Sequence, residues 1–434
     1  MKLAIKSFLA ISILSASMSL HAIENKLVVV TSFPKDLTKQ FKSAFEKKHP
    51  DLKIEMLKKK TTAGIKYIQE TASNNHSDLF WASAPDAFEV LKGDNLLSKY
   101  TSPAKGIPKY VGSYPINDPD GYYTGFAAAG YGIMWNTRYL KAKKIPVPAQ
   151  WADLTKPIYH NHVGMSAPSR SGTTHLTVET LLQGDGWDKG WAKWKQIAGN
   201  FNTVTARSFG VPDGVNSGSF GVGIVIDFFG LSSKGSGFPV DFVYPTTTAL
   251  VPANIGVLNN APHPQAAKAF IDFLLSDQGQ SILLHKKIRR LPVNPATYAK
   301  APANFPNPFK DGSIGAAVNF DVKLSKSRYN LVNSMFDVMI TYRMNDLRAA
   351  TKAIQDAEAA NGNAKMIAEA KALIAALPIT EAQAADESFA NIFKKKRKKA
   401  TDKVTGRQAE VEQKWDSLVK ANYAKAIALA NKAH

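Results

Sequence analysis

From Lys26 onward the chain alternates short β-branched runs with helical stripes, and this alternation restricts its fold more than any other feature. Leu27-Val28-Val29-Val30 is an apolar run that ends in Thr31-Ser32-Phe33-Pro34. Residues 36–48 follow, with Leu37, Phe41 and Phe45 recurring on one helical face. A strand over 53–57 and a helix over 62–72 repeat the unit. Asp78-Leu79-Phe80-Trp81-Ala82-Ser83 then leads into a helix starting near Pro85. Strands alternating with helices predict an α/β sheet covered on both faces. Ligands of such sheets collect beyond the carboxyl ends of the strands, which is where Ser32 and Ser83 sit.

The texture then changes. The glycine-dotted apolar stretch 122–135 reads as two strands with a bend, and Pro146, Pro148 and Trp151-Ala152-Asp153-Leu154 lead into a second α/β region ending near Pro245. From Ile255 the first pattern returns, as a strand over 255–258 and helices over 263–275 and 277–286. A first lobe interrupted by a second accounts for this order. Pro302, Pro306 and Pro308 mark a boundary. Beyond them lies an Ala- and Lys-rich segment with a helical stripe at Leu331, Met335, Val338 and Met339, interrupted by Gly362 and Pro378. The expected organisation is a leader over 1–22, lobe one over 23–127 and 251–314, lobe two over 128–250, and an appended module of three or four helices over 315–434. No internal repeat is evident.

The leader reads as a cleaved secretory signal: Lys2 and Lys6, an apolar run over 7–20, then Leu20-His21-Ala22. The run falls short of the ~20 apolar residues a spanning helix needs. The expectation is therefore a soluble periplasmic protein. With no cysteine anywhere, a lipid anchor on the mature N-terminus, disulfides, thiolate metal sites and a Cys nucleophile are all excluded. The formal net charge of +20 favours anionic ligands or surfaces. Nucleic acid is a poor candidate in that compartment, and no nucleic-acid-binding module is visible.

The strongest chemical signal is Pro168-Ser169-Arg170-Ser171-Gly172-Thr173-Thr174-His175. It follows an expected strand over 163–166 and opens a helix. A helix N-terminus presents unpaired N–H groups and a positive dipole end, hence a ready anion site. The hydroxyls of Ser169, Ser171, Thr173 and Thr174 add donors, and Gly172 permits close approach. The same residues also suit a plain helix cap, and spacing does not decide between the two.

This stretch, with Trp151-Ala152-Asp153-Leu154, Tyr244-Pro245-Thr246-Thr247, Ala261-Pro262-His263-Pro264-Gln265 and Arg290-Leu291-Pro292-Val293, resembles the periplasmic solute-binding proteins of the ferric-iron and hexose-phosphate importers. The resemblance covers about 26–295. The helical extension, opening with Asn319-Phe320-Asp321, is similar to a narrower branch, the periplasmic phosphoglycerate-sensing regulatory proteins. The resemblance implies a two-lobed type 2 binding-protein fold with ligand held between the lobes. By position it implies Ser32 and Ser83 from lobe one, and Ser169, Ser171, Thr173 and Thr174 from lobe two. Arg207 would pair with phosphate or carboxylate, Asp227 would accept from ligand hydroxyls, and Tyr244 and Thr247 would lie near the return crossing. Iron-binding members carry adjacent tyrosines at the place matching Val225-Ile226-Asp227-Phe228-Phe229. Two phenylalanines stand here, with no oxygen to offer a hard cation.

Other features read as structural. His160 and His162 lack a third ligand in register and suit a surface loop. Trp187, Trp191 and Trp194 share a helical face and suit a core. The basic run 394–399 suits a solvated helix end, with contact to anionic lipid or a membrane partner as the alternative. There is no G-x-S-x-G elbow, H-E-x-x-H or P-loop, so a monomeric binding protein without catalysis or cofactor is expected. It would capture a small phosphorylated ligand by lobe closure and report to an ABC permease or a sensor histidine kinase.

Overall fold

A computed structural model describes residues 23–310, 314, 318–394 and 405–433. The leader, and the basic run from residue 395 on, lie outside the described residues. The body is one twisted sheet whose two halves belong to two lobes.

In lobe one the parallel strands Lys26–Thr31, Lys53–Lys58 and Leu79–Ala82 lie side by side. The helix Lys35–Lys48 buries Leu37, Phe41 and Phe45 against them, as its apolar stripe requires. Phe41 meets Trp81 edge-on, with ring centroids 5.6 Å apart. In lobe two the strands Val163–Ser166, Phe201–Thr205 and Val222–Ile226 are likewise parallel.

The stretch expected to form two bent strands is a single strand, Thr124–Asn136, buried along its whole length. It changes partner midway. Residues up to Gly130 pair with the return strand Leu250–Leu258, and Tyr131 onward pairs with Val222–Ile226 and Val240–Val243. The glycines Gly130 and Gly132 let the rings of Tyr244 and Phe242 pack closely against this strand. A Cβ at Gly130 would lie 2.9 Å from the Tyr244 ring. This strand and the return strand connect the two lobes.

The C-terminal helices do not hang free. Leu331, Met335, Phe336 and Met339 join Trp187, Trp191 and Trp194 in a single apolar core with lobe two. All three tryptophans are essentially fully buried, which is the structural role their spacing suggested. The long helix Arg407–Ala433 closes this layer, lying along Met344–Ala359 and Ala364–Ala375. Among the described residues no helix is long and apolar enough to cross a membrane.

The cleft between the lobes

The parallel order of each half-sheet has one decisive consequence. The three parallel strands of each lobe end on the interlobe side, so the helix that follows each of them starts at the interlobe face. Six helix N-termini converge there: Lys35–Lys48, Thr61–Thr71 and Pro85–Gly93 from lobe one, and Gly172–Asp185, Gly210–Ser217 and Asp227–Gly235 from lobe two. Residues at or beside every one of these starts line a common cleft.

Ser32, Ser83, Ser171, Thr173 and Arg207, all named from the sequence, come together in this lining. Ser171 caps its helix through a 3.3 Å bond from the Thr174 amide, so capping and cleft lining are one arrangement. The other five sit elsewhere. Ser169 turns to Asp337 of the C-terminal helices. The Thr174 hydroxyl is buried against Ser166. Asp227 is fully buried and accepts from the Gly130 amide at 2.8 Å, the Phe228 amide at 2.7 Å and the Tyr244 hydroxyl at 2.9 Å. Burial pushes the Asp227 carboxyl up to about 6 against these donors. Tyr244 thus serves Asp227 at the crossing, and Thr247 offers its carbonyl to the Trp151 indole at 2.7 Å.

The sequence reading missed Lys58, Lys60, Arg170 and Arg290, which also line the cleft. Burial, and then the charges of Arg207 and Arg170, hold the Lys60 ammonium below its ordinary value. Those three cations therefore face one another. The lining holds five cationic side chains, the six hydroxyl residues Ser32, Thr61, Ser83, Ser171, Thr173 and Ser208, and the rings of Phe33, Phe209, Phe228 and Phe229, with no carboxylate or imidazole among them. Nothing near these residues in the chain marks Lys58 or Lys60 as special. Their signal is only position: Lys58 ends the strand Lys53–Lys58, and Lys60 precedes the helix Thr61–Thr71.

The lobes meet across the cleft. A Cβ on Gly172 of lobe two would stand 2.9 Å from the Ala84 Cβ and 3.2 Å from the Thr61 Cγ2 of lobe one. Behind this contact the C-terminal helices touch both lobes. Ser325, on the helix Val322–Ser327, donates to Asp86 of lobe one at 3.2 Å and lies 3.1 Å from the His175 Nε2 of lobe two. His175 Nδ1 lies 2.9 Å from Asn333, and Arg328 forms a two-pronged pair with Glu179 at 3.0 and 2.8 Å. All of these side chains are buried. Elsewhere, His162 contacts the Tyr139 hydroxyl at 2.8 Å, and no cluster of three or more His, Asp or Glu suited to a metal occurs among the described residues.

Two lobes joined by a pair of crossing strands, closing on a cleft ringed by helix starts, define a solute-binding protein of the type 2 periplasmic class. The chain belongs to the bacterial extracellular solute-binding proteins, whose family model matches residues 74–315. It is 31% identical over 385 residues to the phosphoglycerate transport regulatory protein PgtC of Salmonella typhimurium, covering 87% of this chain and 92% of that protein. Those 385 residues exceed the two lobes, so the likeness extends into the C-terminal helices. Among solved structures, the periplasmic binding protein AfuA of Actinobacillus pleuropneumoniae, bound to fructose 6-phosphate, superposes with a TM-score of 0.65 at 22% identity, over 73% of this chain and 98% of that one. The apo ferric ion-binding protein A of Pasteurella haemolytica superposes with a TM-score of 0.58 at 14% identity, over 72% and 97%. Both of these solved structures are of binding proteins.

Proposed function

We propose that the chain is a periplasmic receptor that captures a small phosphorylated metabolite between its lobes and presents the closed form to a membrane partner. The observation that carries this reading is the cleft lining: helix N-termini and hydroxyls among Lys58, Lys60, Arg170, Arg207 and Arg290. A phosphate dianion accepts many hydrogen bonds, and helix starts with neighbouring cations supply them. Ferric iron asks for the opposite chemistry, anionic oxygen donors, and Phe228 and Phe229 offer none. PgtC, a regulatory protein of phosphoglycerate transport, and AfuA, with fructose 6-phosphate bound, agree with a phosphorylated ligand.

The partner is an ABC permease or a sensor kinase. The C-terminal helices favour the sensor. They contact both lobes at Ser325, so a partner docked on them would feel closure directly. Thermal melting of the mature protein with 3-phosphoglycerate, phosphoenolpyruvate, hexose 6-phosphates and ferric citrate tests the reading. A true ligand at a hundredfold its dissociation constant stabilises by ~2.7 kcal/mol. Stabilisation by iron alone, with coloured protein, overturns it, and so does catalytic turnover of a phosphate ester.

A further inference from the structure

Arg290 is the least expected residue of the cleft. It is 1% exposed, yet its Nε, Nη1 and Nη2 have no hydrogen-bond partner among the described residues. Asp227 and Tyr131 act on it only through space. The guanidinium carbon lies 3.7 Å from the Phe228 ring centroid and 4.6 Å from that of Phe33, two rings that line the cleft with it. The chain also strains to put it there. Arg289, directly before Arg290, adopts a left-handed backbone conformation at φ 45°, which non-glycine residues rarely take, and the short strand Leu291–Pro292 that follows Arg290 anchors to the long crossing strand. Arg289 itself turns away, donating to the Leu284 carbonyl at 3.0 Å.

A buried guanidinium without an acceptor is strongly unfavourable unless something brings one. Aromatic contact occupies its flat face, so the free N–H groups lie in its plane. That edge suits a planar two-oxygen acceptor. The tetrahedral phosphate is better served at the mouth, where Lys60, Arg170, Arg207 and the hydroxyl-bearing helix starts gather.

The geometry points to Arg290 as the residue that reads a second anionic group, a carboxylate on the phosphorylated ligand, and so rejects phosphate esters of neutral polyols. This rests on the phosphorylated-ligand reading above and refines it. Phosphate is held by the helix starts, and the carboxylate enters last, over Phe33 and Phe228, completing the Arg290 pair as the lobes close.

Calorimetric titration of the mature full chain compares 3-phosphoglycerate with glycerol 3-phosphate, which keeps the phosphate and the three carbons but lacks the carboxylate. The wild type is expected to prefer 3-phosphoglycerate by at least about 100-fold, because a site built around a buried charge rejects the analogue that leaves it unpaired. In R290M the ratio collapses to within about threefold, and R290K, which keeps charge but loses the fork, falls between. Melting of R290M verifies its fold, which removal of an unpaired buried charge does not weaken. Equal wild-type binding of the two compounds overturns the inference while leaving the phosphorylated-ligand reading in place, as does an unchanged ratio in R290M. Failure of the wild type to bind these compounds or fructose 6-phosphate overturns the reading beneath it.

Discussion

Replacing Arg328 by alanine removes one half of the buried pair that ties the C-terminal helices to lobe two. Glu179 and Arg328 are 0% and 2% exposed, and their two bonds measure 3.0 and 2.8 Å. Gln183 gives Glu179 one further bond at 3.0 Å, too little to replace a guanidinium. Burial pushes the Glu179 carboxyl up, but Arg328 outweighs it and leaves the group below its ordinary value. R328A strands that carboxylate and also uncovers the Trp187 ring, 5.0 Å from the guanidinium carbon. Breaking such a pair costs about 3–5 kcal/mol. At roughly 2–4 °C per kcal/mol for a cooperative unit of this size, melting near pH 7 should fall by roughly 6–20 °C. The folded-state pKa is depressed, so the pair's contribution is present above the unfolded value of 4.5 and fades as pH falls through the folded one. The double change E179L/R328M should restore most of the loss, since an apolar pair avoids the stranded charge. Differential scanning fluorimetry of the three variants across pH 4–8 decides the matter. A loss under about 1 kcal/mol in R328A, or a double variant as weak as the single one, refutes the reasoning, because that is the range of exposed pairs.

Three further outcomes concern the cleft and the crossing behind it. G172A places a methyl 2.9 Å from Ala84 across the lobes, so it should cost about 1–3 kcal/mol of closure, a roughly 5- to 150-fold weaker ligand affinity, without lowering the melting temperature of the free protein; unchanged affinity by calorimetry counts against the closed contact. S171A loses both a cleft hydroxyl and the cap on Thr174, and denaturant unfolding should show a loss of about 0.5–2 kcal/mol. Asp227 has its pKa raised to about 6, so its contribution to stability is fully present below 3.8 and is lost as pH rises through 6. The melting temperature of D227N relative to wild type should therefore rise between pH 4 and 7, by the equivalent of up to ~3 kcal/mol, and a difference that stays constant with pH refutes the buried carboxylate.

Much of the architecture was legible because it is local. Period-four stripes such as Leu37, Phe41 and Phe45, or Trp187, Trp191 and Trp194, encode which helix face is buried, and the structure buries them all. The serine-rich start of the helix Gly172–Asp185 was legible for the same reason: caps and dipoles act within one turn. The bend expected over 122–135 was not real. Glycines that suggested a turn instead clear room for Tyr244, Phe242 and Val243 against a continuous strand, and only tertiary packing reveals that need.

Half of the residues named from the sequence line the cleft. Residue types at strand ends and helix starts pointed to Ser32, Ser83, Ser171 and Thr173, and the family resemblance to Arg207, but one residue along a helix turns a side chain by about 100°. That is why Thr173 lines the cleft while Thr174 is buried against Ser166, and why Asp227 faces Gly130 rather than solvent. The sequence alone determined the alternating elements, the basic character and the two adjacent phenylalanines, Phe228 and Phe229. The tertiary structure alone decided that Lys58, Lys60, Arg170 and Arg290 share one cleft, and that the C-terminal helices grip both lobes. The reason is range: capping and periodicity act over a few residues, whereas strand pairing brings together groups as distant as Ser32 and Arg290.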